Sequence, residues 1–295
     1  MSSLLFATLF GLIGCQNEAA EALKTCDGGN IEACYRDGLR QIAPPRPSFG
    51  DARVSFSKAC MTHHAPSCME LAKLVRDAKG GPQDLHRAAE LFGIACEKWQ
   101  EPEACVDLAL AVYEGKGTKE DPERAVQLLN KACTLDEPIM RACSTLADAY
   151  ADGKGVERKD PKKATVLYDK ACDADYAPAC VALGDRIMAE RGRRDLASAA
   201  SHYGRACKID ARLGCYELAS LHAEGKWDDA SDALASEFFQ KTCNIDPTRG
   251  CYEAAELMAA GKVKAREGEI EYLYNLACEY GSAEACAKRQ IDRSP

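Results

Sequence analysis

Sixteen of the seventeen cysteines in this chain fall into eight consecutive pairs of nearly constant spacing. The pairs are Cys26/Cys34, Cys60/Cys68, Cys96/Cys105, Cys133/Cys143, Cys172/Cys180, Cys207/Cys215, Cys243/Cys251 and Cys278/Cys286, with separations of 8, 8, 9, 10, 8, 8, 8 and 8 residues. Between second members the period is 34, 37, 38, 37, 35, 36 and 35 residues. A recurrence of this length implies one structural unit stacked along the chain. Three uses of paired cysteines compete: disulfides, metal ligation and free packed thiols. Metal sites gather four ligands at Cys-x₂₋₄-Cys spacing, and no two cysteines here stand that close. If the chain is exported, all eight pairs are expected to be disulfides between neighbours, each stabilising by roughly 2–3 kcal/mol in the loop-entropy picture.

The sequence around the pairs reads as helix. Eight residues before each first cysteine from Cys60 onward stand Ala52, Ala88, Ala125, Ala164, Ala199, Ala235 and Ile270. Four before stand Phe56, Phe92, Leu129, Tyr168, Tyr203, Phe239 and Tyr274. Positions i, i+4 and i+8 share a helical face, so these residues and the cysteine form one buried stripe. After the second cysteine a large residue (Leu71, Leu108, Leu146, Leu183, Leu218) precedes a small one (Ala72, Ala109, Ala147, Gly184, Ala219), which lets a neighbouring helix approach closely. Turns such as "YEGKGTKEDPERA" and "YADGKGVERKDPKKA" join the two helices. Gly115, Gly117, Gly153 and Gly155 can end the first helix, and Asp121-Pro122 and Asp160-Pro161 can cap and open the next. "QIAPPRPSFG" replaces this turn in the first unit, which predicts an irregular connection there. A small residue precedes all sixteen paired cysteines, consistent with helices crossing tightly at each pair.

"ACVDLALAVYEGKGTKEDPERAVQLLNKAC" and "ACSTLADAYADGKGVERKDPKKATVLYDKAC" resemble Sel-one-like repeats of the tetratricopeptide superfamily. The cysteine pairing resembles the family's secreted, cysteine-rich bacterial branch, the Hcp-like proteins. The resemblance covers nearly all the chain after residue 30. The expected fold is all-α: a right-handed α-solenoid of about seven disulfide-stapled helical hairpins over residues 31–282, with a capping helix and tail over 283–295. An N-terminal helix is expected over 15–30.

"MSSLLFATLFGLIGCQN" at the N-terminus carries a ten-residue apolar stretch, Leu4 to Ile13, too short to span a membrane. Leu12-Ile13-Gly14-Cys15 resembles a bacterial lipobox, which implies a signal sequence over 1–14 and lipidation of Cys15. No Lys or Arg precedes the apolar run, a departure from export signals. An ordinary secretory signal and an apolar N-terminal helix are the alternatives. Gln16 after the cysteine implies, by the family rule, retention at the outer membrane.

Catalytic constellations are sparse. Members of the cysteine-rich branch are described as penicillin-binding or weakly β-lactamase-like, and Ser55-Phe56-Ser57-Lys58 spells S-x-x-K. Yet Lys58 holds a repeat position also filled by Lys131, Lys170, Arg205 and Lys241, and no S-D-N or K-T-G accompanies it. Ser55 is the odd residue, since Leu91, Leu128, Leu167 and Leu273 stand at its equivalents. "GKGT" (115–118) lacks phosphate-loop spacing and reads as a turn. His63 and His64 read as loop residues, and His222 as a half-buried packing residue. His86 and His202 have no partner pattern around them. Trp99 and Trp227 are expected in a loop and a turn, as possible partner anchors. The acidic residues read as solvated faces.

With 28% charged residues and a formal charge of −8, the chain offers no basic surface for nucleic acid. The reading is an exported scaffold on the periplasmic face of the outer membrane, or alternatively secreted, that binds a protein or peptide on its solenoid surface. Its membrane contact would be only the lipid at Cys15, with no catalysis, metal or cofactor. Two other readings stay open: a β-lactam-binding or weakly hydrolytic protein using Ser55, and a redox or haem-linked assembly factor, for which the longer Cys133/Cys143 loop is the natural labile bridge.

Overall fold

The computed structural model describes residues 26, 30–62, 64–191 and 195–291. The signal segment 1–14, Cys15, nearly all of the helix expected over 15–30, and His63 lie outside the described residues. Fifteen helices run through the described chain: α1 (Ile31–Ile42), α2 (Phe49–Met61), α3 (Ala65–Arg76), α4 (Leu85–Trp99), α5 (Pro102–Glu114), α6 (Pro122–Cys133), α7 (Met140–Asp152), α8 (Pro161–Asp173), α9 (Ala177–Arg191), α10 (Leu196–Ile209), α11 (Cys215–Glu224), α12 (Asp232–Cys243), α13 (Cys251–Ala259), α14 (Glu269–Glu279) and α15 (Ala283–Ile291). Helices α1–α14 form seven hairpins, and α15 follows the last. Among the described residues no helix is long and apolar enough to cross a membrane.

The chain divides into two compact units, residues 1–142 with 152–159, and residues 143–151 with 160–295. In the first, each of α1–α6 packs on its sequence neighbour; in the second, α8–α15 do the same. Tyr150 joins α7 to α8 there, its backbone oxygen accepting from Asp160 N at 2.9 Å and its hydroxyl meeting Lys163 Nζ at 2.6 Å.

The predicted punctuation is realised. Asp84, Asp121 and Asp160 cap α4, α6 and α8, accepting from the backbone N–H of Arg87 (2.8 Å), Arg124 (3.0 Å) and Lys163 (3.0 Å). Gly115 ends α5 in the left-handed region. Gly117 has a different reason: a Cβ there would come 2.1 Å from Leu85 O, so the turn's second glycine seats on the first residue of α4. In the first hairpin, residues 43–48 connect α1 to α2 irregularly, through a cis Pro44-Pro45 peptide bond.

The stripe is buried from Ala52, Phe56 and Cys60 to Ala235, Phe239 and Cys243; in the last repeat Tyr274 is buried and Ile270 and Cys278 are half-buried. Leu71, Leu108, Leu146, Leu183 and Leu218 are buried with the small residues beside them. At Gly184 a Cβ would lie 2.5 Å from the ring of Tyr203, so the large-beside-small pattern does set helix approach.

The cysteines close the junctions between hairpins. Cys26–Cys34, Cys60–Cys68, Cys96–Cys105, Cys172–Cys180, Cys207–Cys215, Cys243–Cys251 and Cys278–Cys286 are disulfides with Cα separations between 4.5 and 4.8 Å. Cys133 and Cys143 are disulfide-bonded as well. The Cys172–Cys180 junction explains the eight-residue spacing. Cys172 sits in the last turn of α8 and Cys180 in the first turn of α9, three residues apart from helix end to helix start. Where the preceding residue is glycine, the backbone requires it: Gly214 has φ +79°, and a Cβ there would meet Tyr203 O at 2.6 Å.

Candidate functional site

Ser55 is buried on α2, whereas Lys58, one turn on, is exposed. Its Oγ is 2.9 Å from Asp37 Oδ2 and 3.1 Å from Gln41 Oε1. Asp37 is fully buried, and it also accepts from Gln41 Nε2 at 2.8 Å and pairs with Arg40. The two odd residues explain each other. Asp37 stands three residues after Cys34, where Leu71 stands after Cys68, and Ser55 stands where Leu91 does. A leucine contact has been exchanged for a hydroxyl and a carboxylate. The hydroxyl proton is therefore engaged inside a packed hairpin, and this geometry is structural and not that of a nucleophile activated by Lys58.

Not every acid is solvated, contrary to the sequence reading. Besides Asp37, Asp107 on α5 is buried, held between Arg76 Nη1 of α3 at 3.1 Å and Arg141 Nη1 of α7 at 2.7 Å. Arg141 also reaches Glu103 at 3.1 Å. The same repeat positions recur in the second unit, where Arg249 meets Glu217 at 3.2 Å and lies 4.3 Å from the ring centre of Tyr216. Charged cross-ties thus run between first helices of successive hairpins. A second polar pattern lies within hairpins. The hydroxyls of Tyr168, Tyr203 and Tyr274 reach Asp148, Asp185 and Glu256, each five residues after the hairpin's opening cysteine. Where the stripe carries Phe56, Phe92, Leu129 or Phe239, that position holds Leu39, Lys73, Leu110 or Ser220.

The histidines separate into three environments. His64 precedes α3, its Nδ1 2.8 Å from Ser67 Oγ and its ring 4.9 Å from that of Tyr35. His86 is exposed beside Glu90. His222 is buried more completely than expected, between Trp227 at 5.1 Å and Phe238 at 6.0 Å, with Leu196, Leu218 and Leu221 in the same cluster. Burial lowers the imidazole pKa of His222, and likewise that of the half-buried His202. Trp227 is in a turn, as expected, and shields His222; Trp99 is the last residue of α4 and not a loop residue.

Several surface concavities lie along α4 in the first unit. Between α4, α6 and the turn 115–119 lies an open groove of about 980 Å³ lined by His86, Glu90, Gly93, Glu97, Lys119 and Arg124. Arg124 pairs with Glu97 across it. On the other flank of α4, facing α2, two further openings of about 400 and 160 Å³ share Ser57, Leu71, Arg87 and Leu91. Leu71 and Val75 of α3 form their floor. Among the described residues the histidines and Ser55 are not brought together; the furrow between α2 and α4 is the feature that sequence reasoning missed.

The comparisons agree with the repeat geometry. The Sel1 repeat profile matches residues 65–98, 102–137, 141–176, 177–209 and 212–245, which together exceed half of the chain. A search of curated proteins finds no match. Among solved structures, a Sel1 repeat protein from Oxalobacter formigenes is 18% identical, with a TM-score of 0.67 over 85% of this chain and 99% of that one. A protective antigen of uropathogenic Escherichia coli with the same repeat fold is 20% identical, with a TM-score of 0.52; the alignment covers 92% of this chain and 66% of the antigen. Cysteine-rich protein B of Helicobacter pylori is 24% identical over 44% of this chain and 93% of its own, with a TM-score of 0.35. The repeated hairpins and the profile match establish that this chain belongs to the Sel1 repeat family.

Proposed function

We propose that the chain is an exported, lipid-anchored scaffold that binds protein or peptide partners in the cell envelope. The observation that carries this reading is the row of hairpins joined by disulfides. The seven bridges and the bonded Cys133 and Cys143 suit an oxidising compartment. A stapled array presents the same helix positions repeatedly and binds with little ordering cost. Sel1 repeats as a type serve protein–protein interaction, which supports the same reading. Cys15 is proposed as the lipidated residue, from its lipobox-like context.

The test is in-cell photo-crosslinking with a photoreactive residue placed along α2, α4 and α6, followed by mass spectrometry. A reproducible envelope partner that crosslinks from adjacent repeats is expected. Crosslinks absent at all positions, together with nitrocefin turnover that disappears in Ser55→Ala, would replace the scaffold with a hydrolase.

A further inference from the structure

The furrow between α2 and α4 combines cations with apolar side chains. Its two openings are lined by Arg53, Lys58, Arg87 and Lys98, and by no carboxylate among the described residues. This happens in a chain whose formal charge is −8. Arg53 is held in place, its guanidinium 3.4 Å from Pro82 O in the α3–α4 turn. Arg87, which with Ile94 and Lys98 also borders the α4–α6 groove, bonds Glu90 there at 3.0 Å.

Between the cations the furrow is apolar. Leu71, Val75 and Leu91 floor it, while Val54 and Met61 stand on the α2 rim 55% and 77% exposed. Two of these apolar positions break the repeat. Met61 follows the cysteine of its helix directly, where Glu97, Thr134, Asp173, Lys208, Asn244 and Glu279 stand elsewhere. Ile94 precedes its cysteine by two, where Lys58, Lys131, Lys170, Arg205 and Lys241 stand and only the last repeat has another apolar residue, Leu276. An exposed methionine at an otherwise polar helix position costs solvation and gains nothing inside the hairpin, and the half-buried Ile94 extends the same apolar strip.

We propose that the α2–α4 furrow is a docking groove for an extended peptide segment of a partner protein that alternates carboxylate with large apolar side chains. The proposal rests on the scaffold reading and names the site and the chemistry of its partner. Positions 53, 57 and 61 on α2 run beside 87, 91 and 94–98 on α4, so the groove is about 12 Å long at 1.5 Å rise per residue. That length takes roughly four extended residues. Carboxylates reach the guanidinium groups at 53 and 87 and the ammonium groups at 58 and 98, and apolar side chains settle on Leu71, Leu91 and Met61. Methionine on the rim adapts to different apolar partners.

Fluorescence anisotropy with the full-length oxidised protein tests this. The probe is a fluorescein-labelled hexapeptide alternating glutamate with leucine, compared with one carrying lysine for glutamate and one carrying serine for leucine. Only the first is expected to bind. Its affinity should fall roughly tenfold or more in Arg53→Glu/Arg87→Glu and in Met61→Lys, fall with added salt, and stay unchanged in Arg212→Glu on the other unit. Equal binding of the serine peptide, equal loss in Arg212→Glu, or no binding of the first peptide overturns the proposal. Sedimentation of the wild type alongside Met61→Lys covers a second copy of the chain: a dimer that Met61→Lys makes monomeric also overturns it. A partner crosslinked in cells whose capture ignores Arg53→Glu/Arg87→Glu would leave the scaffold standing and remove this groove.

Discussion

Asp37 and Ser55 form a buried polar pair inside a hairpin whose counterparts hold leucines. Replacing one member alone strips a hydrogen bond from a buried carboxylate. Ser55→Leu is therefore expected to lower the unfolding free energy by about 1–3 kcal/mol in urea denaturation. Asp37→Leu combined with Ser55→Leu reproduces the Leu71/Leu91 arrangement and should recover most of that loss. Strictly additive effects in the double-mutant cycle would contradict the pairing. Only half of this pair was legible in the sequence. Ser55 stood out against its repeat equivalents, but the SxxK pattern drew attention to Lys58, one turn further along the helix and exposed. Asp37 stands three residues after a cysteine, and comparing that position across repeats would have found it. The tyrosine–acid pairs had a similar signal: an acid stands five residues after the opening cysteine wherever the stripe carries tyrosine.

At the scale of elements, the helices and their turns were readable because the cysteines lock the register of every repeat. Asp-Pro caps and turn glycines then mark the ends. The furrow was not readable in this way, since α2, α3 and α4 line it together and it exists only once two hairpins stack. Its apolar rim was nonetheless visible as Met61 and Ile94 departing from the repeat. The cluster of His222, Trp227 and Phe238 between α11 and α12 gives a pH-dependent prediction. Burial holds the imidazoles of His222 and His202 below their usual pKa, so the unfolded chain takes up protons first as the pH falls. This contribution to stability is complete above about pH 6.5 and is lost as the pH falls from there toward the lower folded value. Thermal melts between pH 7.5 and 5.5 should show the midpoint falling with pH, and His222→Phe should flatten part of the slope. An unchanged slope would mean that His222 is already protonated or solvated in the fold. The junctions give a second prediction: Cys172→Ala/Cys180→Ala should cost about 2–3 kcal/mol by loop entropy. Urea unfolding measures it, and no change would mean that the α8–α9 junction is constrained by packing alone.

Within each of the two units every helix packs on its sequence neighbours, so stability is expected to be distributed along the repeats. Hydrogen exchange should therefore show the protection lost in the Cys172→Ala/Cys180→Ala protein confined to α7–α11, with α1–α4 unaffected. Loss spread evenly over the chain would indicate a single cooperative core instead. The repeat also limits what fold alone says about function. A Sel1 array is a frame for interaction, and the departures from its repeat carry what is particular to this chain. The central claim is that neighbouring cysteines staple successive hairpins in the protein as the cell makes it. Non-reducing peptide mapping by mass spectrometry, on protein purified from its native host after thiol blocking, tests that claim most directly. The account predicts eight linkages, each joining cysteines adjacent in sequence from Cys26–Cys34 to Cys278–Cys286, and no blocked thiol among the sixteen. Sixteen blocked thiols, or linkages between non-neighbouring cysteines, would contradict it.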